Sequence, residues 1–372
     1  MRIGIDASRA FVENPTGTER YSYEVITRIL QLPEAKKHEW ILYTRNSPPA
    51  AADPSLNLRE GRGVSYKIRR ISLPYLWTQV GLAWKTWTDN LDVLWVPAHT
   101  LPILRRGFGG LGRSLRTVVT IHGIEYEWLP AYENWLQRWY LPLSTRYAVM
   151  SASRIIAVSE FTKKQLIERL GAKESKISVI HEGVSRTGLH LVRQKSPKEQ
   201  PYLLFVGTVQ PRKNLQRLIT AFANLKSQIP NLKLVIAGKL GWNYKDVVKM
   251  AKKHGVIITG YISEAERYSL LRNAIVYVQP SIAEGFGLPV LEAMAAGVPV
   301  VSSNGGALPE VIGDAGLLFD PYDQLDILAK MAKIISNLKL RKELIAKGLL
   351  RIKEFTWQMA AERTYKILIS KY

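Results

Sequence analysis

The chain lacks several residues and patterns on which common enzyme sites are built. It has no cysteine among its 372 residues, which excludes disulfides, thiolate metal sites and cysteine nucleophiles. It also has no Asp-x-Asp pair, no histidine cluster with metal-ligand spacing, no GxGxxG fingerprint after its first strand and no GxxxxGK[ST] phosphate loop. We therefore expect no bound metal and no cofactor, and the missing fingerprint disfavours a nicotinamide dehydrogenase.

Long apolar runs are also missing. No stretch reaches the roughly 18 apolar residues of a membrane span, because the longest candidate, 286–301, contains Glu292, Pro289, Gly297 and Pro299. The first residues, MRIGIDA, enter a strand pattern without the apolar core of a secretion signal. The expected location is therefore the cytoplasm.

Acidic residues are few relative to basic ones. There are 31 Asp and Glu against 52 Lys and Arg, which gives a net charge of +21. Residues 1–199 hold 29 basic and 18 acidic residues, and residues 200–372 hold 23 and 13. The excess of positive charge is therefore spread over both halves and does not come from a basic tail. Such a charge attracts phosphorylated ligands, nucleic acid or an acidic membrane, or it is a solvated surface.

Short apolar runs alternate with helical patterns along most of the chain. Several runs are apolar throughout, which is typical of parallel strands covered by helices on both faces. The alternation predicts an α/β fold with doubly wound sheets. The runs are 2–6, 40–44, 92–96, 117–121, 154–158, 202–206, 233–237, 275–279 and 298–302, and the helical stretches include 17–31, 160–170, 212–228, 264–273 and 289–296.

The pattern weakens over 184–201, which is polar and basic and is closed by Pro201. This composition is typical of a linker between domains. We predict one Rossmann-like domain over 1–190 and a second over 201–355. The last stretch, 356–372, is expected to form a helix that packs back onto the first domain.

The segment SIAEGFGLPVLEAMAAG follows a buried-type strand. Gly285 and Gly287 free the backbone for close approach to a ligand, and Pro289 suits the first turn of the next helix. A glycine-rich turn that enters a helix presents N–H groups to an anion. Glu284 and Glu292 are placed to face one pocket at the carboxyl edge of the sheet. The alternative is an ordinary turn with solvated glutamates.

Three further segments follow strands in the same way. Arg212 and Lys213 precede a helix, where a bound diphosphate would offset their unfavourable placement beside its N-terminus. Gly17 precedes another helix, and His122 stands at the end of the strand 117–121. Taken alone, a solvated cation pair, an ordinary turn and a structural histidine are the alternatives.

Together these segments resemble the retaining GT-B glycosyltransferases of family 4. The most specific part is the E-x7-E pattern of EGFGLPVLEAMAAGVPVV, and four other segments fit in the expected order. These are VGTVQPRKNL, VSEFTKKQL, SSNGGALPEVIGDAGLLFDP and the final FTW. The resemblance implies two Rossmann-like domains that face each other across a cleft.

The resemblance also implies a reaction and its residues. A hexose, of mannose or glucose type, would move from a nucleotide-diphosphate sugar to a glycan or lipid-linked acceptor, without a metal and with retained configuration. This would serve the synthesis of polysaccharide, lipopolysaccharide or glycolipid. Glu292 would hold the ribose and Glu284 the sugar, and Arg212 and Lys213 would neutralise the leaving diphosphate. The remaining implied positions are His122 beside the sugar, Gly17 at the phosphates, and the donor-binding residues Thr208, Gly285, Phe286, Gly287 and Leu288.

Two other classes stay open at this point. A sugar-nucleotide epimerase of the same fold would share the phosphate site but would need an acid and base pair acting on the sugar. A nucleic-acid-binding protein is suggested only by the charge, and no nucleic-acid-binding signature accompanies it.

Two stretches of the first domain suggest that the protein makes peripheral contact with the inner face of an anionic membrane. Trp77, Trp84 and Trp87 would share one face of a helix. The second stretch alternates arginine with apolar residues, and this combination is typical of interfacial proteins. The residues are Arg105, Arg106, Arg113 and Arg116 with Leu104, Phe108, Leu111 and Leu115. The alternative is that the tryptophans are core and the arginines are solvated.

Overall fold

The computed structural model describes residues 1–13, 15–45, 66–73, 76–107, 114–127, 135–185 and 200–370. The chain divides into two compact units. Unit 1 comprises Met1–Ile124, Leu136–Gly183 and Trp357–Tyr372, and unit 2 comprises Glu125–Trp135 and Val184–Thr356. Arg113 and the linker predicted near residue 190 lie outside the described residues.

Unit 1 is built on a parallel sheet of seven strands in the order β3-β2-β1-β4-β5-β6-β7. The central strands are buried on both faces, as their apolar runs predict. The strands are β1 Arg2–Asp6, β2 Glu39–Thr44, β3 Tyr66–Arg70, β4 Val93–Val96, β5 Arg116–Ile121, β6 Arg154–Ala157 and β7 Ile177–Val179.

The helices of unit 1 are α1 Gly17–Gln31, α2 Ala83–Thr88, α3 Trp135–Ser151, α4 Glu160–Leu170 and the last helix of the chain, Trp357–Ile369. A π-helical segment, Trp77–Leu82, leads directly into α2. The last helix packs on α1, where the Tyr21 and Trp357 rings lie 6.2 Å apart.

Unit 2 repeats this plan with a parallel sheet of six strands in the order β10-β9-β8-β11-β12-β13. Its strands are β8 Tyr202–Val206, β9 Lys233–Ala237, β10 Ile257–Ile258, β11 Val276–Gln279, β12 Val300–Ser303 and β13 Gly316–Phe319. Its helices are α5 Leu215–Gln228, α6 Lys245–His254, α7 Glu264–Asn273, α8 Leu288–Ala295, α9 Leu308–Ile312, α10 Gln324–Ser336 and α11 Leu338–Arg351. The last helix of the chain, in unit 1, is α12.

The strand order indicates where a ligand could bind in each unit. In unit 2, β8 pairs with β11 although 69 residues separate Val206 from Val276 in the sequence. The chain therefore reverses direction across the sheet between these two strands. Loops that follow neighbouring strands on either side of such a point form a crevice at the carboxyl edge. In unit 1, the equivalent point lies between β1 and β4.

The predicted fold class is confirmed, since both units are doubly wound α/β structures. The predicted helices 17–31, 160–170 and 264–273 coincide with α1, α4 and α7. Four strands were not predicted. β3 has the sequence YKIRR with four of its five residues exposed, so it has no apolar run. β7, β10 and β13 are short and only partly buried.

The predicted membrane-facing residues need correction. Trp77 is buried, and its indole donates to the Ile71 carbonyl, so it is a core residue. Arg105 and Arg106 are also buried and donate to backbone carbonyls inside unit 1. Arg116 donates to carbonyls at the end of α12. These three arginines brace the fold and do not face a membrane.

Candidate functional site

Two loops at the carboxyl edge of the unit 2 sheet carry most of the predicted donor-site residues. The loop after β8 ends in a 3-10 turn, Pro211–Lys213, and the loop after β11 contains Glu284. The Ile282 N–H donates to the Arg212 carbonyl at 2.8 Å, which joins the two loops. The structure therefore brings Arg212, Lys213 and Glu284 together.

Glu284 is the centre of this cluster. Its Oε2 atom accepts a hydrogen bond from the Arg212 guanidinium at 2.6 Å. Its Oε1 atom accepts from the Lys213 ammonium at 2.5 Å, from the Gln279 amide at 2.9 Å and from the Ser281 hydroxyl at 2.5 Å. A carboxylate offers about four acceptor positions. Oε2, which has one of these four donors, is therefore the oxygen better placed to accept a further hydroxyl.

The charges of the cluster are strongly coupled because Glu284 and Lys213 are both buried. Burial opposes ionisation of Glu284, but the positive charges of Arg212 and Lys213 outweigh it and lower the pKa of Glu284 to about 2. Burial and the Arg212 charge lower the pKa of Lys213, and Glu284 offsets this only in part. Two cations share one carboxylate, so these three groups favour an anion.

The backbone of Glu284 is held by the turn that precedes α9. The Glu284 carbonyl accepts from the Ala307 N–H at 2.8 Å. Gly306 has a φ of +66°, and a Cβ there would lie 2.4 Å from the Glu284 carbonyl oxygen. Only glycine fits this position without moving the loop. Gly306, in SSNGGALPE, thus lets the turn before α9 approach and bond the Glu284 backbone.

The predicted backbone anion site, Gly285 to Leu288, forms the entry to α8. Leu288 is the first helical residue, and Gly287 caps the helix with a φ of +113°. The Phe286 ring packs edge-on against Phe355 at 5.8 Å, so its side chain is directed into the unit. The first N–H groups of a helix attract anions. Thr208 lies in the loop after β8, closely packed against Gly241.

Glu292 lies on α8 in the same unit and is buried. Its Oε1 atom is 3.2 Å from the Arg267 Nη1 atom, on α7. Arg267 is a partner that sequence reasoning missed, because no spacing rule connects α7 to α8.

Glu125 is a second residue that sequence reasoning missed. It begins a 3-10 turn, Glu125–Glu127, and belongs to unit 2. Burial raises the pKa of Glu125, and the positive charge of Arg212 counteracts burial. Its Oε1 atom is covered and accepts no hydrogen bond from any described residue. A further carboxyl group therefore lies within electrostatic reach of the cation pair.

His122 is held in unit 1 by two acceptors. Its Nδ1 atom is 2.8 Å from Glu182 Oε1, and its Nε2 atom is 3.0 Å from the Pro97 carbonyl oxygen. Both ring nitrogens therefore face acceptors, which fixes the orientation of the imidazole. Burial and the charge of His122 lower the pKa of the adjacent His99 to about 3, so His99 is neutral. Glu182 follows β7, and the rule that ligands bind at the carboxyl edge of a sheet was the signal that could have indicated it.

Gly17 is the first residue of α1, also in unit 1. The preceding Thr16 donates its N–H to Glu19 Oε2 at 2.9 Å, which forms an acidic cap at this helix end. Glu19 also pairs with Arg9 at 3.4 Å. A phosphate approaching Gly17 would therefore meet backbone N–H groups beside a carboxylate that Arg9 partly neutralises.

The described residues contain no group of three or more His, Asp or Glu side chains arranged to hold a metal ion. Among the helices of the described segments, none is long and apolar enough to span a bilayer.

Residues 15–187 match the family model described as Glycosyltransferase Family 4, and residues 190–351 match the model described as Glycosyl transferases group 1. The chain is 32% identical over 276 residues to O-antigen chain mannosyltransferase B of Escherichia coli, and the match covers 69% of this chain and 71% of that protein.

Two solved structures show the same fold. Sucrose-phosphate synthase from Thermosynechococcus elongatus gives a TM-score of 0.73 at 19% identity, over 99% of this chain and 98% of that one. HepE from Anabaena, crystallised with UDP and glucose, gives a TM-score of 0.68 at 17% identity, over 100% of this chain and 99% of that one.

Proposed function

Because the chain belongs to glycosyltransferase family 4 and is a glycosyltransferase of glycan biosynthesis, we propose that it transfers a hexose from a nucleotide-diphosphate sugar to an acceptor hydroxyl. The transfer retains the anomeric configuration and uses no metal ion. The relative named above is a mannosyltransferase, which supports mannose over glucose as the sugar.

The observation that carries the proposal is the cluster of partly exposed Arg212 with buried Lys213 and Glu284, which precedes the N-terminus of α8. Two cations, one carboxylate and a helix N-terminus together favour a ligand with more than one negative charge. A nucleoside diphosphate has this charge. The cations stabilise it most when it leaves, because its negative charge grows as the bond to the sugar breaks.

The reaction breaks the bond between the anomeric carbon and the diphosphate oxygen. The acceptor oxygen forms the new bond to the same carbon on the same face, and the acceptor proton passes to the leaving diphosphate. Glu284 is not the nucleophile in this scheme, since a carboxylate with a pKa of about 2 and four hydrogen-bond donors is a weak base and a weak nucleophile. Its role is to bind the sugar hydroxyls through Oε2.

The other predicted residues complete the donor site. Glu292 binds the ribose hydroxyls, and the backbone of Gly285 to Leu288, with Thr208, binds the sugar and the phosphates. The roles expected of Gly17 and His122, which belong to unit 1, are to contact the phosphates and to position the sugar. A sugar contact with His122 Nε2 would replace its bond to the Pro97 carbonyl.

The acceptor is a glycan or a lipid-linked glycan, and the enzyme works in the cytoplasm in peripheral contact with the inner face of an anionic membrane. This assignment agrees with the O-antigen role in the name of the E. coli relative. No nucleic acid takes part.

A binding panel tests the donor assignment. Thermal unfolding is followed with GDP, UDP, ADP and their sugar conjugates, without added metal and with a chelator. We expect one nucleoside diphosphate to raise the melting temperature of the wild type and to have no effect on Arg212→Ala. Arg28→Ala, which removes an arginine on α1 that pairs with Glu24, is the control and should respond as the wild type does. If no nucleotide shifts the wild type, the donor assignment is wrong.

A further inference from the structure

Unit 1 exposes a set of large apolar side chains on two helices and one loop. Trp84 and Trp139 are each 66% exposed, and Leu104 and Leu143 are each 63% exposed. Val80 and Trp87 are exposed beside them. We call these six residues the apolar face. Val80, Trp84 and Trp87 are spaced by four and three residues, as are side chains on one side of a helix, and Trp139 and Leu143 are spaced by four.

Hydrogen bonds join the three elements of the apolar face. Gln79 donates to the Tyr140 hydroxyl at 3.3 Å and to the Leu101 carbonyl at 3.2 Å. The Trp87 indole donates to the Leu104 carbonyl at 2.9 Å. The π-helical segment, α2, the loop around Leu104 and α3 therefore present one continuous surface.

The charge of this region has one sign. The described segments that carry the apolar face, 76–88, 101–107 and 139–151, contain no Asp or Glu. Their basic residues are Lys85, Arg146 and the buried Arg105 and Arg106. Arg146 is exposed on α3, and Lys85 is partly exposed between Trp84 and Trp87. Exposed indoles flanked by cations complement a surface that is apolar inside and anionic at its border.

We propose that the apolar face docks on an anionic lipid bilayer, with Trp84, Trp139 and the two leucines inserted between the headgroups. This surface differs from the one predicted by sequence, since Trp77, Arg105 and Arg106 are buried. The proposal deepens the proposed function and rests on it only for the acceptor, because docking would bring unit 1 to a lipid-linked glycan. The lipid contact itself is independent of catalysis.

Sedimentation with lipid vesicles tests the surface. Vesicles of phosphatidylethanolamine and phosphatidylglycerol are compared with phosphatidylcholine vesicles at low and high salt. We expect the wild type to sediment with the anionic vesicles, more weakly at high salt. The variant Trp84→Ser/Trp139→Ser should bind at least about 100-fold more weakly, since each buried large apolar side chain contributes about tenfold or more.

Matched leucines provide the control. Leu104→Ser/Leu143→Ser should also lose binding, whereas Leu338→Ser/Leu350→Ser should not, although those leucines are 65% and 61% exposed in unit 2. The proposal is overturned if the wild type binds neither kind of vesicle. It is also overturned if Leu104→Ser/Leu143→Ser and Leu338→Ser/Leu350→Ser bind the anionic vesicles equally well. It is also overturned if the face variants convert a dimer to a monomer, because the occupant is then a second copy.

The two proposals can fail separately. The Trp84→Ser/Trp139→Ser variant should transfer sugar to a water-soluble acceptor at the wild-type rate and lose transfer only to an acceptor in vesicles. If the enzyme has no donor activity at all, vesicle binding still decides the docking surface.

A second inference concerns Arg267, and a different observation carries it. Its guanidinium lies 3.2 Å from Glu292 Oε1 and 3.1 Å from Glu264 Oε1. Its central carbon lies 5.3 Å from the centre of the Tyr268 ring. Glu292 is buried, and burying a carboxylate is costly unless a cation or several donors pair with it. Arg267 supplies that charge from a neighbouring helix.

The geometry points to Arg267 as a positioning residue for Glu292, which rests on the proposed contact of Glu292 with the ribose. By holding Oε1, Arg267 sets the orientation in which the carboxylate meets the two ribose hydroxyls. Loss of Arg267 should therefore weaken recognition of the ribose more than the chemical step.

Ribose selectivity is the readout that a merely structural role would not change. Affinities are measured for a nucleoside diphosphate and for its 2′-deoxy and 3′-deoxy counterparts. We expect the wild type to prefer the ribose form by about tenfold or more, which is typical of a hydrogen bond to a charged group. Arg267→Met should lose most of this preference, with a larger change in KM than in kcat, and Arg267→Lys should restore part of it.

Glu264→Gln is the matched control, because it removes the other acidic partner of Arg267 and leaves Glu292 paired. It should keep the wild-type selectivity. An Arg267→Met variant that binds nucleotide with unchanged selectivity overturns the positioning role. A wild type that binds nucleotide but shows no ribose preference overturns it too, and a wild type that binds no nucleotide overturns the donor assignment itself.

Discussion

Replacing Lys213 by alanine tests the cation pair at the proposed phosphate site. The ammonium is buried and donates to Glu284 at 2.5 Å. After its removal, Glu284 keeps the Arg212 guanidinium at 2.6 Å and two neutral donors. Glu284 therefore keeps three of its four hydrogen-bond donors, and the phosphate site loses one of its two cations.

Two free energies can be separated for this variant. Breaking a buried ion pair by removing one partner typically costs about 3–5 kcal/mol of stability. Because Arg212 stays with Glu284, we expect a smaller loss of about 2–3 kcal/mol, near the range of one charged hydrogen bond. In the transition state, losing one donor to the leaving group costs about 2.7–4 kcal/mol, which lowers turnover about 100- to 1000-fold.

The assay measures both quantities on the same protein. Turnover is measured with saturating donor, well below the melting temperature of each variant, and stability is measured by thermal unfolding. Lys226→Ala is the control, since Lys226 lies near the other end of α5 and contacts the Phe222 ring and the His254 carbonyl. It should lose little activity. Near-wild-type transfer by the Lys213→Ala variant would refute the role of Lys213 in the reaction.

Three further outcomes follow from the structure. A chelator should leave transfer unchanged, because the cation pair and backbone N–H groups offset the diphosphate charge; strict dependence on added Mn²⁺ or Mg²⁺ would contradict this. The pKa of Glu284 is lowered to about 2, so its charge should contribute up to about 3 kcal/mol of stability above pH 4.5. The protein should lose this contribution as the pH falls towards 2. Acid should therefore lower the melting temperature of the wild type more than that of Glu284→Gln. Gly306→Ala should abolish donor binding and destabilise the fold by about 1–3 kcal/mol. Gly171→Ala is the control, because Gly171 has the same φ of +66° but no described atom within 4 Å of the added Cβ. It should cost only about 1–2 kcal/mol of stability and leave donor binding intact.

The fold was predictable because parallel strands buried on both faces leave continuous apolar runs in the sequence. Three helices were predicted with their observed bounds because a cap residue or a glycine marks their ends; α4, for example, lies between Ser159 and Gly171. The edge strand β3 could not be predicted, since its side chains are mostly exposed. Family membership also sets aside the nucleic-acid-binding and dehydrogenase alternatives.

The individual site residues could be named from sequence, but their contacts could not. Lys213 and Glu284 are 71 residues apart, and His122 and Glu182 are 60 apart. Their pairing depends on which strands are neighbours in each sheet. Burial was equally unpredictable, because Trp77 and Trp84 have the same side chain seven positions apart. Trp77 is buried and donates to the Ile71 carbonyl, whereas Trp84 is 66% exposed.

The anomeric configuration of the product is the most direct test of retaining transfer by this enzyme. The enzyme is incubated with the nucleotide sugar selected by the binding panel and with a glycan acceptor, and transfer is followed by proton NMR from the first turnover. A retaining enzyme should form the new glycosidic bond in the α configuration of the donor from the start, with release of the nucleoside diphosphate. A β-linked first product, or no transfer from any nucleotide sugar that binds, would contradict it.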